Sequence, residues 1–483
     1  MYKLIINIGR GNFRYTIFNN PLAIFFFVCC LSAASAFAPH SMHRRNIRLL
    51  HPVQSRNMSD TRSDVTNIRG QVVTTTDYNV RWNNALVGST HELTVNPKDP
   101  QWVWVTEMME SQLAKIDSRD PTKQLLFKFE EDSQPHTVRF DNEGRCWVGL
   151  ENDGRIVQIK ESVLAQHVDK PNAFEDEPTM ITLTEDDFEC SRDVQFGTGD
   201  DGFVNTHPHA FCFDRDQTNI WFTGKLTNTV GSLNIASGKV KHYEIPTLGA
   251  VPIYVSLGPD LNVWGTCLTS NRIVRVTTGD DPKNPEPGLV SEIPITEANV
   301  QSRPIIIEAR RDANGNFLDR DMWFSNEAGH SVARVNVDKV QELIDVEGHC
   351  HKGKPSCTCS AVFYSATPLT KAVVEFPVPL VRRNMNGGGL AFDDEGNIWF
   401  QSYVDTTGGH GLGEGPDYIV KIDKSIHESQ GYDRGQITNI PMTFYEIPTR
   451  DSTMHRIIFS HETKKLWFTE LKANRIGTID IQS

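Results

Sequence analysis

Four histidines, His91, His136, His209 and His455, each stand at the head of a short apolar run: HELTV, HTVRFD, HAFCFD and HRIIFS. Imidazole changes charge near neutral pH, so it serves as a general base or, when neutral, as a metal ligand. A second set of polar residues lies just beyond a tryptophan in the same stretches: Glu107, Glu151, Lys225 and Glu470. Cys267, Asn326 or Glu327, and Tyr403 hold the equivalent places elsewhere. Carboxylates beside imidazoles complete the coordination of a divalent cation or orient the rings that do so. Alternatively, one imidazole removes a proton while a cation stabilises the developing negative charge. Either chemistry needs both sets in one place.

A repeat would gather them. Seven of the nine tryptophans fall in one register: Trp104, Trp147, Trp221, Trp264, Trp323, Trp399 and Trp467. Their contexts are VWV, CWV, IWF, VWG, MWF, IWF and LWF, with an apolar strand pattern before most of them. A third strand pattern follows each, ending near Ile116, Ile159, Leu233, Val276, Val335, Ile422 and Ile479. Tyr243–Pro246, Glu292–Pro294, Glu375–Pro377 and Tyr445–Pro448 repeat a fourth, ending in proline as an edge strand can. Four short strands per unit, recurring every 43 residues between Trp104 and Trp147, predict an all-β, seven-bladed β-propeller of four-stranded blades. The last unit stops after its third strand. VVTTTDYNV, Val72–Val80, alternates as a strand does and is predicted to complete that blade.

In such a ring the residue opening each first strand, and those just after each second strand, meet at one mouth of the channel. The first set is His91, His136, His209, Tyr254, Ile305, the Gly387–Gly389 run and His455. His209, His455 and His136 are the catalytic candidates, and His91, Tyr254, Tyr403 and Lys225 are expected to face a small-molecule substrate. His209, His455, Glu470 and Glu107 are the candidate metal ligands, with Zn²⁺ or a redox ion such as Fe²⁺ among the metals that imidazoles suit. A mouth that holds a ligand or peptide without chemistry is the non-enzymatic reading. Longer intervals are assigned by strand order: Glu185–Asn205 and the glycine-rich Tyr403–Asp417 to the upper face, Asp338–Leu369 to the lower.

The repeats PHAFCFDRDQTNIWFTGKLTNTVGSL, LGPDLNVWGTCLTSNRIVRV, GLAFDDEGNIWF and LWFTELKANRIGTIDI resemble those of virginiamycin B lyase and its streptogramin-lyase relatives. The resemblance runs from about Glu92 to Ser483. It implies a seven-bladed propeller that opens a cyclic depsipeptide by elimination, a histidine removing the proton α to the ester carbonyl while Mg²⁺ stabilises the enolate. The family's Pro-His dipeptide is matched by Pro208-His209 and Pro135-His136, and its last-blade histidine by His455. Thr453-Met454 stands where the family has Glu-Pro, and His91 where it has tyrosine. The scaffold carries over further than the activity does.

Lys3, Arg10 and Arg14 precede the apolar PLAIFFFVCCLSAA, so residues 1–36 read as a signal peptide. ASAFAP, Ala34–Pro39, leads into a segment with four arginines, three histidines and no acid before Asp60. Residues 37–70 therefore look like a transit peptide, and the whole resembles a bipartite plastid presequence, with secretion as the alternative. Residues 71–483 are the propeller. Beyond the presequence no apolar run is long enough for a bilayer, so no membrane association of the mature chain is expected.

The 483 residues carry 48 basic and 61 acidic side chains, net −13, with no basic stripe, which excludes general nucleic-acid binding. Seven of the nine cysteines lie past the signal segment, an odd number that argues against a full disulfide framework. Cys146, Cys212 and Cys267 sit in strand patterns and read as free thiols. HCHKGKPSCTC, His349–Cys359, has zinc-ligand types without finger spacing, leaving structural metal, a local disulfide and neither all open. Asp312–Asp321 lacks the acid of a calcium loop and reads as a polar turn. A closed ring buries its core unaided, so a monomer is expected.

Overall fold

The computed structural model describes residues 2–8, 11–17, 76–79, 89–166, 179–197, 202–295, 302–346, 370–381, 385–404, 416–429, 440–449 and 452–481. Internal contacts divide the chain into two units. The first contains an antiparallel hairpin, Tyr2–Ile8 with Gly11–Ile17.

The second unit is the propeller. Its seven sheets begin with the innermost strands Thr90–Asn96, Pro135–Phe140, Pro208–Phe213, Pro252–Leu257, Pro304–Arg311, Met385–Phe392 and Met454–Ser460. Each innermost strand packs against that of the next blade, and Met454–Ser460 packs against Thr90–Asn96, so the ring closes. Closure uses the predicted device: Thr76–Asn79, within the Val72–Val80 stretch, pairs antiparallel with Arg475–Asp480 as the fourth strand of blade seven.

The tryptophan register fixes the packing between blades. All seven tryptophans lie in second strands and none is more than 3% exposed. In blades two, four and six the aspartate of the preceding turn accepts the indole N–H: Asp141 from Trp147 at 3.1 Å, Asp260 from Trp264 at 2.9 Å, Asp393 from Trp399 at 2.8 Å. The same carboxylates accept backbone N–H groups of their own turns, so one side chain ties turn to core.

Blade two departs from expectation. Glu185–Asn205, read as an upper-face insertion, carries that blade's fourth strand, Phe188–Asp193, paired with Arg155–Ile159. FECSRD is half-exposed and lacks both the apolar alternation and the closing proline seen elsewhere, so an edge strand here leaves little pattern. Thr179–Thr182, just upstream, crosses back to pair in parallel with Gln124–Lys128 as a fifth strand of blade one. Tyr403 and Val404, taken as the start of a loop, are the last two residues of the strand Ile398–Val404. The Asp338–Leu369 insertion opens within a helix, Val337–Val346, between third and fourth strands. Its cysteine cluster lies outside the described residues.

Cys146, Cys190, Cys212 and Cys267 are free thiols. Burial pushes the Cys146, Cys212 and Cys267 thiols up, so they are inert at neutral pH. Among the described residues no helix is long and apolar enough to cross a membrane.

Candidate functional site at the channel mouth

Six of the seven first strands open with the same irregularity. Register shifts follow Thr90, Pro135, Pro208, Pro252, Pro304 and Met454, so the next residue lacks a cross-strand partner. These bulged residues are His91, His136, His209, Ile253, Ile305 and His455. A bulge bends the strand and re-aims its side chain. In five blades the residue before the opening proline or methionine is also left-handed: Gln134, His207, Val251, Arg303 and Thr453, with φ of 52, 50, 55, 53 and 47°. None is glycine, so the turn holds each of them in a costly conformation. Kink and bulge together bring the four histidines of blades seven, one, two and three into one row.

The rings touch. Centroids are 4.0 Å apart for His455–His91, 4.0 Å for His91–His136 and 3.6 Å for His136–His209. Threonines hold the backbone beneath them: Thr469 donates to the His91 carbonyl at 2.9 Å, Thr106 to that of His136 at 2.8 Å, Thr137 to that of His209 at 2.7 Å. Burial lowers all four imidazole pKa values, well below the usual range for His91, His136 and His209. The Lys225 ammonium lowers each further, so it sits within electrostatic reach of the whole row. The rings are therefore neutral at pH 7. His455 is the half-buried one, and Glu92 partly offsets its loss of basicity.

The remaining expected site residues divide. Lys225 joins the cluster and pairs with Glu151 at 2.9 Å. His207 approaches the same Glu151 oxygen at 3.5 Å. Burial raises the Glu151 pKa, but Lys225, the His207 hydrogen bond and His136 outweigh it and hold the carboxyl at about 2. Tyr254 is not in the histidine position. Ile253 is, and its carbonyl faces His209 Nδ1 at 2.6 Å; the bulge displaces Tyr254 by one residue. Tyr403 donates to Glu327 at 2.8 Å.

Glu107 and Glu470, expected as metal ligands, fall outside both groups of donor atoms that could share an ion. The alternation of a strand explains this: Thr106 and Thr469 face the next blade to hold histidine carbonyls, so Glu107 and Glu470 face the opposite way. Burial, aided by the Glu110 charge and opposed by Lys128, pushes Glu107 up to about 8. At that value it keeps its proton at pH 7.

Beneath the row lies a charged network that sequence reasoning missed. Arg139 donates to Glu92 at 3.3 Å and to the Tyr254 hydroxyl at 2.9 Å. Tyr254 and Ser256 donate to Glu308 at 2.5 and 2.9 Å, and Arg456 donates to Glu308 at 2.9 Å. Arg456 also lies 3.5 Å from Glu92. Two guanidinium and two carboxylate charges balance. The Tyr254–Glu308 and Arg139–Tyr254 pairs are 54 and 115 residues apart in sequence, and only the bulge registers make them neighbours.

Two groups of donor atoms lie within 4.8 Å of one another: His91, His136 and His455, and His136, Glu151 and His209. Magnesium, which the sequence resemblance implies, prefers an octahedron of oxygen ligands and retained waters. Three imidazoles, or two imidazoles and one lysine-paired carboxylate, do not fit that preference. They fit borderline first-row ions.

No protein-family model matches the chain, and no curated protein matches it in sequence. Solved structures do. Virginiamycin B lyase from Staphylococcus aureus is 17% identical over 84% of this chain and 99% of its own, with a TM-score of 0.53. A streptogramin B lyase structure is 16% identical over 84% of this chain and 97% of its own, with a TM-score of 0.54. Hydrazine synthase from Kuenenia stuttgartiensis is 11% identical over 83% of this chain and 99% of its own, with a TM-score of 0.50. These are likenesses of fold, and they agree with the seven-bladed propeller that the repeats predict.

Proposed function

We propose that the protein is a lyase-type enzyme acting on a small ester or lactone at the channel mouth, with His455 as the base. The observation that carries this is the row of four contacting, neutral imidazoles, with its one half-buried member at the blade-seven end. A neutral imidazole has a lone pair for a proton, and a partly open ring can meet a substrate's C–H bond. His455 takes the proton α to a carbonyl. The C–H electron pair forms the new C=C bond as the C–O bond at the β carbon breaks, and that oxygen leaves as carboxylate. Lys225, in reach of all four rings, stabilises the negative charge that develops on the carbonyl oxygen. The presequence would deliver the enzyme to a plastid, which a fluorescent fusion of residues 1–70 tests by its location.

Quinupristin, present in one virginiamycin B lyase structure, is the first compound to try, beside simple β-acyloxy esters and lactones. Elimination opens a ring without adding water and creates an ultraviolet-absorbing conjugated carbonyl; hydrolysis adds water. A ring-opened product of unchanged mass from a cyclic compound, or an unsaturated ester plus free carboxylate from an acyclic one, with turnover lowered about 10²- to 10⁴-fold in His455→Ala, is the expected result. Turnover indifferent to His455→Ala, or none with any compound, would sink the reading.

A further inference from the structure

We infer that His136, His209 and Glu151 form a binding site for a first-row divalent cation of the zinc or ferrous class. The three side chains are 1, 9 and 3% exposed, and their donor atoms lie within 4.8 Å of one another. In each, one polar atom is fixed by the protein and the other is left over.

His209 Nδ1 lies 2.6 Å from the Ile253 carbonyl, which can only accept, so this nitrogen carries the proton and Nε2 keeps its lone pair. His136 Nδ1 meets the Thr137 hydroxyl at 3.4 Å. That hydroxyl's only hydrogen goes to the His209 carbonyl, so it accepts from His136, and the His136 Nε2 lone pair is likewise free. Glu151 Oε1 takes Lys225 and His207. His136 Nε2 and Glu151 Oε2 are buried and have no hydrogen-bond partner. Buried acceptors left unsatisfied are destabilising, and a bound cation relieves them. Ligand atoms bare, with their other halves held by carbonyl, hydroxyl and ammonium, are what metal sites require of their supporting residues.

The charge pattern selects the ion. An ammonium 2.9 Å from the single carboxylate works against a hard cation bound by electrostatics alone. An ion that forms strong bonds to imidazole nitrogen overcomes this. His91 and His455 continue the row from His136. The inference is independent of the lyase reading, since metal content is measured without turnover.

The test uses the full-length chain, stripped with chelator and dialysed against Zn²⁺, Co²⁺, anaerobic Fe²⁺ or Mg²⁺, with elemental analysis and the cobalt absorption spectrum as readouts. One equivalent of zinc or cobalt is expected, undisplaced by excess Mg²⁺. His136→Ala, His209→Ala and the isosteric Glu151→Gln should each weaken binding at least tenfold, with the melting curve showing that each variant is folded. Glu151→Gln decides the matter if a histidine variant fails to fold. Stoichiometry unchanged in all the folded variants overturns the proposal. So does loss of metal only in Cys350→Ser or Cys357→Ser with a thiolate-to-cobalt band, which would place the ion in the cysteine insert. A site filled by Mg²⁺ in preference to zinc overturns it as well.

Discussion

Glu107 and Glu151 are buried carboxyls near the same mouth, and their surroundings push them in opposite directions, to about 8 and about 2. The first has no hydrogen-bond partner for either oxygen; the second has a lysine. The consequence for stability follows from proton binding. Between the ordinary glutamate range and pH 8 the folded chain keeps a proton on Glu107 that the unfolded chain has lost, so stability falls as pH rises through that window. Glu107→Gln should match the wild type near pH 4 and exceed it at pH 9 by on the order of a few kcal/mol, read from urea unfolding at both. Parallel pH curves for the two proteins would show that Glu107 is ionised in the fold after all. Glu308 offers a second test. It accepts from Tyr254, Ser256 and Arg456, and Glu308→Gln leaves a buried guanidinium short of its counter-charge. A loss of roughly 3–5 kcal/mol in the same unfolding measurement is expected.

At the level of the strand, what could be read in advance was what repeats locally. The tryptophan contexts and the apolar runs before them disclosed all seven second strands, and alternation at Val72–Val80 disclosed the closing one. The four histidines were legible as a group because each opens such a run. The bulge was not, since one unpaired residue leaves no mark on a pattern of period two. That single displacement put Tyr254 where Ile253 belongs and hid Glu92, Arg139, Glu308 and Arg456 as partners. Glu107 and Glu470 were grouped with His209 and His455 as metal ligands for the same reason: one position along a strand reverses the face, and the two glutamates fall outside the groups of donor atoms that include those histidines. Phe188–Asp193 was missed because an edge strand need not be apolar. The kink before the bulge makes its own prediction. Thr453 is β-branched at φ 47°, so Thr453→Gly should stabilise by about 1 kcal/mol, where threonine-to-glycine elsewhere in a strand destabilises. A lowered melting temperature in Thr453→Gly would mean the turn is not strained.

Across the whole ring, blade seven joins the most distant parts of the chain among the described strands, Thr76–Asn79 with Arg475–Asp480. Removing residues 1–80 should leave Arg475–Asp480 as a bare edge, lower the melting temperature by several degrees and promote association through that edge, visible by size-exclusion chromatography. An unchanged melting curve would mean that four paired residues add nothing to closure. The seam matters beyond stability, because the His455–His91 pair at 4.0 Å straddles it. These two rings belong to the last and first blades to leave the ribosome, more than 360 residues apart. The row of imidazoles is thus complete only once Met454–Ser460 docks on Thr90–Asn96. A chain whose seventh blade has yet to be made lacks His455, so the topology makes closure of the ring a precondition for the full row.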